Sequence, residues 1–260
     1  MYDDIRYETD GGIATITIDR PDVYNAFREQ TIAELNVALR EAFDDDGVYV
    51  IVLTGAEDGF CAGADVTEMP DWHEEMSKED YAGYLRGVQN VVRQLRAGEK
   101  PSIAAVSGPA IGAGCDFALA CDLRIVDEDA RLREGFVRVG LVPGDGGGWL
   151  LPRLIGESKA KEYLLTGKDI DADDAVDLGL AVEIADDSLE AATDLAAEIL
   201  DLPALAVRRT NALTDWEQTF EDYSADAIDY QWECVNDAEH HEAIAAFTEK
   251  REPEYERQYS

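Results

Sequence analysis

The stretch PSIAAVSGPAIGAGCDFALACDLRIVDEDARL, residues 101–132, decides the architecture. Residues 101–108 read as a strand that ends in glycine. A glycine-rich turn follows, then a short helix at CDFALAC (115–121), then strand, turn and strand over 122–132. A strand that passes through a turn into a helix and returns as a strand points to parallel pairing with helical crossovers. The same alternation runs outward in both directions. IATITID (13–19) and VYVIVLTG (48–55) read as strands, and residues 25–45 between them place Ile32, Leu35, Leu39 and Phe43 at helical spacing. Residues 79–97, about 158–166 and 188–200 are further helical patterns, and 180–186 is a further strand. From Pro203 the chain reads as helical to its end. The expectation is an α/β protein with a core over 1–200 and a C-terminal helical region over 201–260, with no low-complexity linker between them.

The charge is unusual. There are 57 acidic residues against 22 basic ones, a formal net charge of −35, and only six of the basic residues are lysines. Such a surface repels nucleic acid and anionic lipid. The acidic residues are spread through all the candidate helices, so we read the charge as adaptation to the salt-rich cytoplasm of a halophile. Cys61, Cys115, Cys121 and Cys234 show no CxxC pairing and read as reduced, mostly buried thiols of an intracellular protein. The N-terminal MYDDIRYETDGG is acidic and lacks the apolar run of a signal peptide, and no stretch approaches eighteen apolar residues. A cytoplasmic location is expected.

Three glycine-rich or small-residue segments could hold chemistry. SGPAIGAGCD (107–116) follows a strand and opens a helix, where unpaired N–H groups attract an anion or a developing oxyanion. It lacks the GxGxxG spacing and the lysine of a phosphate loop, as does PGDGGGW (143–149). Glycine in turns also serves positive φ and close packing, an equally good reading on spacing alone. GFCAGADVTEM (59–69) follows a strand too. Its Ala62, Gly63 and Ala64 let a ligand approach the backbone, and Asp65 can accept N–H bonds from the next turn. His73, His240 and His241 lack metal-ligand spacing, so no metal is expected. AVSGP is not a GxSxG elbow, which argues against Ser107 as a nucleophile.

NAF (25–27), GFCAGADVTEM, AVSGPAIGAGCDFALACDLRI (105–125), VGLVPGDGGGWLLPRLIG (139–156) and AFTEKREPEYERQ (246–258) occur in the order and spacing of the crotonase (enoyl-CoA hydratase/isomerase) family. The chain resembles that family over nearly its whole length. The resemblance implies a spiral of ββα units whose C-terminal helices build homotrimers, often paired into homohexamers. It implies an acyl-CoA thioester as substrate, with no cofactor beyond the coenzyme A that the substrate carries. The two backbone N–H groups that bind the thioester oxygen in the family map onto Ala64 and Ala113. Contacts to the substrate map onto Ala26, Ala62, Asp65 and Val66, and Phe247 and Lys250 sit where the family's tail reaches coenzyme A, sometimes that of a neighbouring subunit.

The resemblance breaks at one carboxylate. Hydratases of the family use two glutamates. The first maps to Asp116, one methylene shorter; the second maps to Phe136, which cannot exchange protons. Asp145, in the glycine-rich wall, lies one residue from an essential aspartate of the family's dienoyl-CoA isomerases and is the leading substitute. Glu134 is an alternative, since on an extended backbone it would face the same side as Phe136, and water is a third. Turn formation and helix N-terminal placement are the structural readings of Asp145 and Asp116. Trp149 reads as a core residue. The expected activity is enoyl-CoA hydration or isomerisation through Ala64, Ala113, Asp116 and Asp145. Hydrolysis of a thioester or C–C bond on the same scaffold is one rival, and a CoA-binding protein with a degenerate catalytic pair is the other.

Overall fold

The computed structural model describes residues 2–67, 76–214 and 218–260. Glu68 and Met69 of the GFCAGADVTEM segment, and His73, lie outside them. The strands are β1 (Ile5–Asp10), β2 (Ile13–Ile18), β3 (Val50–Gly55), β4 (Ser102–Val106), β5 (Pro109–Ile111), β6 (Leu123–Val126), β7 (Arg131–Arg133), β8 (Ile170–Asp171) and β9 (Glu183–Ile184). The main sheet runs β1-β2-β3-β4-β6-β9, and β5-β7-β8 form a small second sheet. Only β1 is antiparallel in the main sheet; β2, β3, β4, β6 and β9 pair in parallel, as the alternation of strands and helices predicts.

Both faces of the central strands are covered, so β3 and β4 are apolar runs rather than alternating ones. Ile51, Leu53, Ala104 and Val106 join the larger core with α1 (Glu29–Asp44), α2 (Lys78–Ala97) and α3 (Ala113–Ala120). On the opposite face Val50, Val52, Ile103 and Ala105 meet Ala192 and Ala196, small side chains that let their helix lie close. The remaining described helices are α4 (Gly147–Ile155), α5 (Glu157–Thr166), α6 (Ala172–Asp177), α7 (Ser188–Leu200), α8 (Ala204–Leu213), α9 (Phe220–Val235) and α10 (Ala238–Glu249). Helix starts are fixed locally: Ser77 and Asp80 form a reciprocal cap on α2, and the Asp187 carboxylate accepts from Leu189 and Glu190 N–H at α7.

Four expectations need correction. The first helix begins at Glu29 rather than 25, because Asn25 is left-handed (φ 58°) and Phe27 pairs with Ala64 as an isolated bridge. The polar residues 5–10, given no structure from sequence, form the edge strand β1 by pairing with β2. Helix does not continue to the C-terminus: α10 ends at Glu249, Lys250 turns left-handed, and the last residues fold back so that Ser260 N donates to Gly47 O. Trp149 is not a core residue; it is 40% exposed, with the Arg153 guanidinium 4.3 Å from its ring centre. The cysteines are as expected: Cys61, Cys115 and Cys121 are buried, and all four are free thiols.

Candidate active site

Two loops meet at the site because small residues and one asparagine hold them there. Buried Asn25 donates to the carbonyls of Ala56 (2.8 Å) and Gly59 (2.6 Å) and accepts from Arg20 N–H (2.9 Å). Next to it Phe27 N donates to Gly63 O and Asp65 N donates to Phe27 O, both at 2.8 Å. The segment after Cys61 is then tied to the strand before α3: Cys61 N donates to Pro109 O (3.0 Å) and Ile111 N to Cys61 O (2.9 Å). Gly63 stands at φ +91°, where a Cβ would lie 2.8 Å from Ile111 O. A Cβ on Gly114 would collide with Cys61 O. Glycine is required at both positions, the first for its dihedral and both for the approach.

This approach places Ala64 and Ala113 on one cavity of about 300 Å³. Neither residue's N–H meets an acceptor among the described residues. Ala113 is the first residue of α3, so its N–H also carries the positive end of the helix dipole. The rest of the lining is largely apolar and includes Phe27, Tyr84, Leu85, Phe136, Leu141 and Val142. Asp145 is on the lining too, and burial raises its carboxyl to about 6. No hydrogen bond from Asp145 to its own turn occurs among the described residues, so the turn-forming reading does not describe it. Tyr81 and Tyr84 of α2 face it; burial first, and then the Asp145 charge, push both phenols up. Sequence reasoning passed over these two tyrosines, whose signal is their i, i+3 spacing on one side of α2.

Asp116 and Glu134 lie behind the cavity rather than on its lining. Both are buried, at 0% and 2% exposure, within hydrogen-bond range of each other. None of their four carboxyl oxygens meets a donor in good geometry among the described residues. The Gly147 N–H and the Cys115 thiol bear on them from less favourable positions. Burial, then the facing Glu134, raises Asp116 well above the carboxylate range. Burial also raises Glu134, to about 7, while its bond to Asp116 acts in the opposite sense. A proton held between the two carboxyls makes one of them a donor and favours the charged form of the other. Glu134 and Asp145, alternatives at the level of sequence, are thus both beside Asp116, whereas Phe136 is cavity wall.

The other predicted residues divide. Ala62 and Val66 line the cavity with Ala64. Ala26 is buried, and its carbonyl accepts from the Arg20 guanidinium. The Asp65 carboxylate accepts from Thr67 N–H (3.1 Å), Thr67 Oγ1 (2.7 Å) and Arg20 Nη2 (3.0 Å), the turn role its position suggested. Phe247 and Lys250 are exposed and do not line the cavity of their own chain. A larger surface hollow of about 800 Å³ meets the site at Gly144–Asp145 and is bounded by Arg93, Arg96, Glu99, Trp149 and Tyr230. Its charged rim is poorly matched to an acyl chain. No group of acidic, histidine or cysteine side chains suited to a metal ion occurs among the described residues.

Residues 8–258 match the family model described as enoyl-CoA hydratase/isomerase. The short-chain-enoyl-CoA hydratase of Clostridium acetobutylicum is 34% identical over 252 residues, 95% of each chain. The crotonyl-CoA hydratase of Syntrophomonas wolfei is 35% identical over 263 residues, 98% of each. Among solved structures, an enoyl-CoA hydratase from Polaromonas superposes with a TM-score of 0.91 at 30% identity, covering 97% of this chain and 99% of that one.

Proposed function

The chain belongs to the enoyl-CoA hydratase/isomerase family, and from that membership we propose how its cavity hydrates a short 2-enoyl-CoA. It is an enzyme of enoyl-CoA hydratase/isomerase type. The thioester oxygen accepts the N–H groups of Ala64 and Ala113, and the acyl chain lies against the apolar wall that includes Phe136 and Leu141. Asp145, as the carboxylate, takes a proton from water while the water oxygen bonds to C3. The displaced electron pair comes to rest on the thioester oxygen as an enolate. Fixed donors stabilise that charge without reorganising, and losing one typically costs about 3 kcal/mol. Asp116, which rests behind the lining, turns its carboxyl into the cavity to give a proton to C2, and the proton on Asp145 returns to Asp116, so the elements of water are added and the enzyme is unchanged.

The observation that carries this reading is the convergence on a single cavity of one desolvated carboxyl and two N–H groups that meet no acceptor among the described residues. The activities of the two hydratase relatives favour hydration over hydrolysis. The test follows the ultraviolet absorbance of crotonyl-CoA in about 2 M KCl, where screening lengths fall to a few ångströms. Absorbance is lost with wild type and persists with Asp145→Asn and Asp116→Asn. A fully active Asp145→Asn would remove Asp145 from the mechanism.

Backbone atoms near Ala62, Asp65 and Val66 are placed to meet the coenzyme A chain, with Ala26 supporting that loop. Phe247 and Lys250 reach it from a neighbouring subunit of a homotrimer or a homohexamer. Exposed Phe220, Ile228, Trp232, Ile244 and Phe247 on α9 and α10 support that assembly, since one chain alone leaves them uncovered. Residues 1–200 then act as the core and 201–260 as the assembling region. No described helix is long and apolar enough to cross a membrane, and we place the enzyme in the cytoplasm, in keeping with its free thiols.

A further inference from the structure

Glu134 has no counterpart in the pair of carboxylates on which the family's hydratases rely, yet it is buried, 2% exposed, next to Asp116. Two carboxylates cannot share a dry site while both are charged. Here four buried oxygens, all acceptors when ionised, face one another without a well-placed donor among the described residues. A proton between them turns one oxygen into a donor and satisfies its partner. The fold makes room for this meeting: a Cβ on Gly147 would collide with both Glu134 Oε1 and Asp116 Oδ1.

We propose that Asp116 and Glu134 carry one proton between them, and that Glu134 is the positioning residue that keeps Asp116 in its acid form. The catalytic consequence rests on the hydratase reading above. Asp116 lies one helical turn from Ala113, on the same face of α3, directly behind the wall that holds the thioester. As its proton goes to C2 of the enolate, the proton that Asp145 took from water passes to the Asp116–Glu134 pair, so the pair keeps one proton and a single negative charge throughout and Asp145 returns to a free carboxylate. No oxidant, reductant or further reactant enters.

The groups that bear on the pair come from each element around it. Cys115 and Asp116 come from α3, Glu134 from the residue after β7, and Asp145 and the Gly147 N–H from the start of α4. The Asp145 charge in turn bears on Tyr81 and Tyr84 of α2. The acidic groups among them all oppose a second charge on the pair. The side-chain amide of glutamine, in contrast, can donate to Asp116 and let it ionise.

Infrared difference spectra of the whole protein, wild type minus Glu134→Gln at pH 8, test the proton directly. The expected result is a protonated-carboxyl C=O band present in wild type and absent from Glu134→Gln and from Asp116→Asn. A band that survives in Glu134→Gln overturns the shared proton. Kinetics test the positioning role with crotonyl-CoA. Glu134→Gln is expected to lose about 10²-fold in kcat with KM held, and to lose rate at lower pH on the alkaline side than wild type. Glu134→Asp should recover part of both. Wild-type kcat and pH profile in Glu134→Gln would make Glu134 a packing residue and overturn the proposal. If wild type hydrates nothing, the functional reading fails while the infrared band still decides whether the pair shares a proton.

Discussion

Gly147 stands so close to the Glu134 carboxyl that a single methyl group on it would strike Oε1, and the same methyl group would strike Asp116 Oδ1. Gly147→Ala must therefore separate the pair or displace the first turn of α4. The expected cost is about 1–3 kcal/mol of unfolding free energy, read from denaturant melts. Gly83, in the middle of α2, has nothing within 4 Å of its Cβ position. Gly83→Ala should raise stability by about 0.5–1 kcal/mol, the opposite sign from the same substitution at 147.

The role proposed for Asp145 predicts an acid limb in the pH profile. As a base it works only when ionised, and burial raises its carboxyl to about 6. The value of kcat/KM should fall as pH drops through that region. Asp145→Asn should lower kcat by about 10²–10⁴-fold. Stability moves in the other direction: the raised carboxyl binds its proton more tightly folded than unfolded. Its contribution is complete below about 3.9 and is lost as pH rises through about 6. Melting curves of Asp145→Asn should therefore be flatter across that window by on the order of 2 kcal/mol. A steeper dependence than wild type would contradict the assignment.

Asn25 fixes the two loops through three hydrogen bonds with no exposure to water. Asn25→Ala strands the Ala56 and Gly59 carbonyls and the Arg20 N–H. Its cost should be on the order of 3 kcal/mol, accompanied by a rise in KM, since Ala64 is no longer held opposite Ala113. Unchanged KM in a folded variant would separate Asn25 from the site.

The net charge of −35 predicts a melting temperature that climbs with KCl. The screening length shrinks from about 10 Å at 0.1 M to about 3 Å at 1 M, which removes most repulsion between surface carboxylates. A melting temperature independent of salt would show that local ion pairs, such as Arg28–Asp4 and Arg251–Glu242, already offset it.

The parallel sheet was legible because β3 and β4 are short apolar runs that end at glycine or beside it, and α7 lies over the 188–200 that its spacing marks. What stayed hidden depends on pairing. Residues 5–10 carry Arg, Glu and Asp and form a strand only because β2 offers an open edge. Asn25 breaks the helical pattern because its side chain is needed by two carbonyls far along the chain. At the site, spacing against the family pattern singled out Ala64, Ala113, Asp116 and Asp145 as candidates; Ala64, Ala113 and Asp145 line one cavity, with Asp116 buried behind it. The place of Glu134 could not follow from spacing: it depends on the left-out side chain of Gly147 and on the turn after β7, both of which are facts of three-dimensional approach.

The enclosure of the cysteines has a use at the bench. Burial pushes the Cys61 and Cys121 thiols to about 12 and raises Cys115 well above its ordinary value. Thiolate, not thiol, attacks a disulfide dye, so these three sulfurs stay silent at neutral pH. Only half-buried Cys234 is within its reach. Coenzyme A set free by any hydrolytic side reaction would therefore be counted against a background of at most one equivalent per chain, and a folded sample that yields more has begun to open its core.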